Sequence, residues 1–268
     1  MKQANIVKRM KPLLGTYVEI GFLNNGCQTD SFNAAFSSIE NIQNQMSFHN
    51  PQSALSQLNH SQGEWIELPR ESIEVLNYTK QLFIETKGLF NCTLGGHLVQ
   101  NDKLPNHFNV PFIPVGSGDD IEISQNRVRL LAPIIITLDG IAKGYAVDQA
   151  IESLIKTGVT TGWVNAGGDI RVFGELKMPI HQRHENALLP LIELNNQAIA
   201  TSQVSQKNPT DLPGYIIDNE GKQPKDCIIS VIAAEAWLAD ALTKVLALTS
   251  EELRQTLAQR FSATYVKS

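Results

Sequence analysis

The sequence predicts a mixed α+β fold with largely antiparallel sheets and packed helices. Strand-like and helix-like runs are interleaved without strict βαβα alternation. Gln125-Asn126 sits between two strand-like runs and suits a hairpin turn. Four longer segments carry apolar residues at helical spacing. At 268 residues the chain can bury a large core, as one domain over 1–268 or as two packed lobes without a clear linker.

The elements follow in order. Thr16–Phe22 reads as a strand, and 31–46 as a helix with Phe32, Ala35, Phe36, Ile39 and Met46 on one face. Trp65–Leu68 is a short strand, and a helix over 70–86 is closed by Gly88. The stretch 101–119, rich in Pro, Gly, Asn and Asp, reads as a surface loop. Ile121–Ser124 and Val128–Leu131 pair across Gln125-Asn126, and the apolar run Ile134–Leu138 reads as a buried strand. A helix over 143–157 has Gly158 at its end. Trp163–Asn165, Ile170–Phe173, Leu191–Leu194, Ala198–Thr201, Tyr215–Asp218 and Ile228–Ile232 are further strands. A loop covers 203–213, a helix 234–248, and Ser250 caps a last short helix.

The net charge of -5 and a pI near 5.7 argue against a nucleic-acid partner, and no basic run appears. No apolar stretch is long enough to span a membrane. The segment Met1–Arg9 lacks the apolar core of a signal peptide, so as read the chain is cytoplasmic. Cys27, Cys92 and Cys227 are too scattered for a disulfide framework or a zinc site and read as buried or idle thiols.

Two segments carry the chemistry. In Thr137–Asp148 an apolar run breaks at Asp139-Gly140, and Lys143-Gly144 opens a helix. That is either a cradle for an anion, with outward N–H groups and a favourable dipole, or an ordinary strand–helix junction with a solvated Lys. It is not a Walker A loop. In Val164–Gly174, Gly167-Gly168 and Asp169 lie between strand-like runs. They make either a close backbone approach to a flat or phosphorylated ligand, or a glycine bulge or tight hairpin with a turn Asp. No G-x-G-x-x-G opens a helix after a strand, which disfavours a nicotinamide dehydrogenase.

The chain resembles the ApbE family, the FAD:protein FMN transferases. The matching residues are Leu14–Val18, Met46–Ser53, Gly88–Thr93, the Gly140–Asp148 block, Asn165–Asp169, Ala200–Ser202, Ile216–Asp218 and Ala239–Thr243. Their joint order and spacing carry the resemblance. It implies Mg²⁺-dependent transfer of FMN from FAD to a Thr or Ser hydroxyl of an acceptor flavoprotein, such as a redox-pump subunit, with release of AMP. Many similar proteins are exported lipoproteins, which sets a periplasmic location against the cytoplasmic one.

The resemblance assigns roles by position. Gly140 (through its carbonyl), Asp240 and Thr243 fall on metal-ligand positions. Asp240 also admits a plainer reading, an i,i+4 salt bridge with Lys244. The similar pattern has Thr at the Lys244 position, and a charged Lys cannot ligate Mg²⁺, though it can act as a cation beside the pyrophosphate. Thr137 and Lys143 fall on flavin-nucleotide contacts, with Asp in place of Thr137 in the similar proteins; Asp139 either compensates or is a turn residue. Phe48 or His49 would stack on the nucleotide, or else Phe48 belongs to the core with Met46. Asn91, Thr93, Gly167, Gly168, Asp169 and Ile217 would line the cofactor. Tyr215 stands where the resemblance expects the His that assists the acceptor hydroxyl, and with a pKa near ~10 Tyr is a poor base. Asp240, Lys143 and Tyr215 are therefore the catalytic candidates. Of the other histidines, His97 lies beside Gly95-Gly96, and His181 and His184 share an i,i+3 spacing in a polar, loop-like stretch. The departures at Thr137, Tyr215 and Lys244 keep a second reading open: a divergent protein that binds FAD, or slowly hydrolyses it, without transfer. A flavin carrier with no chemistry is a third.

Overall fold

A computed structural model describes residues 5–24, 26, 28–184, 187–204 and 215–267. Seven strands form one antiparallel sheet: β1 (Ile6–Leu13), β2 (Thr16–Leu23), β6 (Gly162–Ala166), β7 (Asp169–Phe173), β10 (Ala198–Val204), β11 (Cys227–Ala233) and β12 (Thr264–Lys267). Their spatial order is β1-β2-β6-β7-β10-β11-β12. The mixed α+β expectation holds.

Alternation along the strands gives this sheet two apolar faces. Val18, Ile20, Phe22, Val164, Ala200, Ile229 and Val231 point into the main core. There the sheet meets α1 (Gln28–Met46), α5 (Ala142–Lys156) and α6 (Ala236–Leu248), with α1 against α5 and α5 against α6. Trp163, Ile170, Val172, Ile199 and Ile232 point the other way. They are covered by Ile180 and Leu194 of the hairpin β8 (Lys177–His184) and β9 (Ala187–Asn195). The sheet is thus buried on both sides along β6 and β7, and the Gly167-Gly168 turn that joins them is exposed.

Between α1 and α5 the chain forms α2 (Ala54–Asn59), β3 (Ile66–Glu67), α3 (Arg70–Glu85), α4 (Gly95–Gln100), β4 (Ile121–Ser124) and β5 (Arg127–Leu130). Strands β3, β5 and β4 make a separate three-stranded sheet. After α6 comes α7 (Glu251–Arg260), which begins after Ser250, although no side-chain cap bond forms there.

Three expectations need correction, and one strand was not anticipated. Ile134–Leu138 is buried but is not a strand: Ile136 exchanges both backbone bonds with the Asn59 side chain, each at 2.8 Å, and Thr137 N–H donates to Cys92 O. Local side-chain and turn partners satisfy the backbone that a ladder would otherwise hold. Tyr215–Asp218 is likewise irregular, closed by a turn in which Asp218 Oδ1 accepts from the N–H groups of Glu220 and Lys222. Strand β1 lies in a stretch without an apolar face. The stretch holding His181 and His184 is strand β8 rather than a loop, with His181 exposed. The His184 side chain, Cys27 and residues 205–213 of the expected loop lie outside the described residues, while 203 and 204 close β10.

Candidate active site at the α5–α6 seam

The site grows from a close approach of two helices. Gly144 stands in the first turn of α5, and a Cβ there would lie 2.3 Å from the carbonyl oxygen of Ala236 in the first turn of α6. Only glycine admits this contact. It lets each helix supply the other's missing cap. Asp240 of α6 accepts from the Gly144 N–H through Oδ2 at 3.1 Å. Asp148 of α5 accepts from the N–H groups of Ala236 (2.9 Å) and Trp237 (2.8 Å). The residues at the N-cap positions, Ile141 and Glu235, make no side-chain cap bond themselves. The first-turn N–H groups, otherwise unpaired, are satisfied in trans.

Both carboxylates are buried, and each carries a cation. Arg171 Nη1 donates to Asp148 Oδ1 at 2.6 Å. Lys244 Nζ donates to Asp240 Oδ1, and to the Asp240 carbonyl at 3.0 Å. Burial pushes the Asp148 carboxyl up to about 6 against the pull of Arg171 and the two N–H groups.

Around Asp240 stand the other predicted residues. Gly140 faces the Lys244 stem: a Cβ there would sit 3.8 Å from Lys244 Cε and 3.6 Å from the Phe90 ring. Lys143 Nζ lies 3.0 Å from Oδ2 of the buried Asp169, without an aligned hydrogen bond to that oxygen. Burial, helped by the nearby Asp240 charge, pushes Asp169 up to about 6, while Lys143 and Lys244 oppose the rise. Burial alone would lower Lys143, but Asp169 and Asp240 outweigh it and hold the ammonium above its ordinary value. Asp169 begins β7 directly after Gly167 and Gly168, whose φ of +63° and +106° make a two-residue hairpin turn. The tight-hairpin reading holds, and it leaves the close-approach reading intact: space over Gly168 is open, whereas a Cβ on Gly167 would strike Thr16.

Asp139 is exposed, with protein crowded around it. That enclosure raises its carboxyl, as does Asp240; the Thr137 bond, His49 and Lys244 draw it back. His49 is exposed beside it. Asp139, Asp240, Lys143, Lys244 and Asp169 therefore share one electrostatic neighbourhood, with Thr137 and His49 at its margin.

The remaining candidates hold the surroundings. Asn91 is buried, and its Oδ1 accepts from Thr93 N and Thr93 Oγ1 while its Nδ2 donates to Gly116 O and Asn219 Oδ1. Its polar atoms are committed to the fold. Thr93 and Ile217 are buried as well. Phe48 is a core residue, ringed by His107 and Phe108 at 5.6 and 5.4 Å, which leaves no face for a stacked ligand. Tyr215 is half-buried with Lys103 Nζ 4.9 Å over its ring. Its segment docks on the Gly88–Asn91 loop through Asn219, and Gly221 packs on the His97 ring. Ser202, to which no role was assigned, bonds Thr243 at 2.7 Å. The capping of α6 by Asp148 was missed altogether; an Asp on the otherwise apolar buried face of α5 was the available signal.

The donors expected to hold Mg²⁺ fit it poorly here. Asp240 Oδ1 is taken by Lys244 and Oδ2 by the Gly144 N–H. Thr243 Oγ1 donates to the Asp240 carbonyl in its own helix and pairs with Ser202. Among the described residues, no three His, Cys, Asp or Glu side chains are grouped to hold a metal ion.

A family model described as the ApbE family matches residues 14–266. The FAD:protein FMN transferase of Haemophilus influenzae is 23% identical, with 97% of this chain and 85% of that protein aligned. A Vibrio cholerae protein of the same name is 24% identical, with 96% and 86% covered. Among solved structures, the apo form of the Pseudomonas stutzeri flavinyl transferase ApbE superimposes with a TM-score of 0.82 at 20% identity, covering 97% of this chain and 90% of that one.

Proposed function

Because the chain belongs to the ApbE family, we propose that it transfers FMN from FAD to a Ser or Thr hydroxyl of an acceptor flavoprotein, releasing AMP. The observation that carries the proposal is the convergence of two ammonium groups, Lys143 and Lys244, at a helix-start seam beside the glycine turns at 140 and 168. The names of the relatives support the same reading. Phosphoryl transfer asks for charge neutralisation and positioning more than covalent chemistry. The pyrophosphate of FAD would meet Lys143, held by Asp169, and Lys244, held by Asp240. The open space over Gly168 admits its close approach. The acceptor oxygen attacks the FMN phosphorus, the bond to the AMP oxygen breaks, and the acceptor proton must leave.

Asp139 is the group that suits that proton. It is exposed, and enclosure and Asp240 raise its affinity for protons. Tyr215, partly covered by Lys103, suits contact with the ligand better than proton abstraction. Mg²⁺, expected from the resemblance, would have to be held by Gly140, Asp240 and Thr243; with the Asp240 and Thr243 oxygens engaged, no step is routed through it. Incubation with FAD and a candidate acceptor, read by mass spectrometry for an FMN adduct and by chromatography for AMP, tests the proposal. AMP appearing with free FMN and no adduct on any acceptor would favour the hydrolytic reading, to which the departures at Thr137, Tyr215 and Lys244 point.

A further inference from the structure

We propose that the ammonium of Lys244 is the permanent cation of this site, standing where a divalent metal would otherwise sit, so that the site handles the pyrophosphate of FAD without added metal. This rests on the flavin-nucleotide reading for the identity of the ligand, but not for the state of the cation position.

The geometry is specific. Lys244 Nζ lies on the Asp240 carboxylate and on the carbonyl oxygen of the same residue, while its stem runs past Gly140. The ammonium is therefore set on the carboxylate that a metal would need. Asp240 is 1% exposed, whereas the Lys244 side chain keeps 24% exposure. A buried carboxylate needs a partner, and Lys244 supplies it permanently. An ammonium has three N–H donors. Two meet Asp240 in this arrangement, which leaves the third for a ligand oxygen. A divalent ion at the same carboxylate would stand a few ångströms from a fixed like charge, which opposes its entry. Thr243, turned to its own helix backbone and to Ser202, is not aimed at a metal. Lys143 adds the second positive charge that a single ammonium lacks relative to a dication.

The test counts bound metal and measures nucleotide binding separately. Mn²⁺ is titrated into the purified protein and the free ion is followed by electron paramagnetic resonance. FAD affinity is measured by fluorescence in EDTA and in Mg²⁺. For the wild type, no stoichiometric Mn²⁺ site and an FAD affinity unchanged by EDTA are expected. Lys244→Thr removes the ammonium and offers an oxygen; it should gain one Mn²⁺ site and an EDTA-sensitive affinity. Lys244→Met removes both and should weaken FAD about 10–100-fold in either condition, as for loss of a charge-assisted bond. One Mn²⁺ per wild-type chain that is lost in Asp240→Asn would overturn the proposal, as would an affinity that collapses in EDTA and returns with Mg²⁺. Should FAD fail to bind under any condition, the function proposed above fails; the Mn²⁺ counts of the wild type and Lys244→Thr still decide the state of the cation position.

Discussion

Asp148→Ala should be among the most damaging single changes outside the ligand-facing residues. Asp148 is 4% exposed and accepts from Ala236 N, Trp237 N and Arg171 Nη1. Loss of a cap costs about 1–2 kcal/mol. Breaking a buried ion pair costs about 3–5 kcal/mol when the partner stays buried. The Arg171 side chain keeps 23% exposure and can recover water, so the second figure applies only in part. A total of about 3–5 kcal/mol follows, a large share of the roughly 5–15 kcal/mol by which a folded chain is stable. Urea denaturation followed by circular dichroism measures it, with Arg171→Met and the double variant completing a cycle. The double variant should lose less than the sum of the two single losses, because each single change strands a partner. Since α6 carries Asp240 and Lys244, FAD affinity should fall with Asp148→Ala even in dilute urea-free buffer. A loss under about 1 kcal/mol, or strict additivity in the cycle, would refute the view that Asp148 holds α6 through charge and cap together.

Other consequences are as direct. Gly144→Ala places a Cβ 2.3 Å from Ala236 O, a backbone atom that cannot swing aside, so the helices must part; a cost of about 1–3 kcal/mol and weaker FAD binding are expected from melts and fluorescence titration. Phe48→Ala should cost about 3–5 kcal/mol as a core truncation while leaving FAD affinity in the surviving folded protein nearly intact; a selective loss of affinity would restore the stacking role. Asp148 and Asp169 both have folded carboxyls raised to about 6, above their ordinary value near 3.8. The folded state then binds more protons than the unfolded one between those values, so their contribution is full below about pH 4 and is lost as pH rises through about 6. Urea midpoints should fall across that window and level off above it, with the slope reduced in Asp169→Asn; a rise across the window would contradict the assignment.

The parts of the fold that were legible are those where local pattern and tertiary role agree. Gly167-Gly168 between two β-rich runs admitted a tight hairpin, and the structure has one, with positive φ at both glycines. Of the helical stripe Ala146, Val147, Ala150, Ile151, Leu154 and Ile155, the first five face the core as their spacing requires, whereas Ile155 at the end of α5 is 54% exposed. Edge elements were illegible for a physical reason. Strand β1 is exposed along most of its length, so it needs no apolar face and advertises none; pairing with β2 through the Leu14-Gly15 turn makes it a strand. Ile134–Leu138 misled in the opposite sense, because burial leaves the same mark on the sequence whether the hydrogen bonds go to a ladder or to an Asn side chain. At the site, the i,i+4 spacing of Asp240 and Lys244 was visible from the start, but spacing cannot show that the pair sits against Gly140 or that Gly144 takes the other carboxylate oxygen.

Reciprocal capping changes how substitutions at Asp240 must be interpreted. Each helix starts on a carboxylate donated by the other: Asp240 serves α5 and Asp148 serves α6. The chain tolerates a glycine within α5, at about 1 kcal/mol relative to Ala, because only glycine permits the approach that makes this exchange possible. Asp240 therefore holds Lys244, fixes the start of the helix that bears Lys143, and faces the ligand neighbourhood at once. Removing it releases the ammonium, uncaps α5 and lets Lys143 shift relative to Asp169, so lost activity in Asp240→Ala cannot be assigned to any one of these. The informative contrast is Asp240→Asn against Lys244→Met. The amide can still accept from Gly144 N–H, so α5 should keep its start and the variant should melt near the wild type while the ammonium loses its charged anchor. Lys244→Met leaves the cap and abandons the buried carboxylate. If the ammonium is what the ligand uses, Lys244→Met loses FAD affinity and Asp240→Asn retains a weakened form of it. Equal loss in both, with stability unchanged, would mean instead that the carboxylate itself serves the ligand.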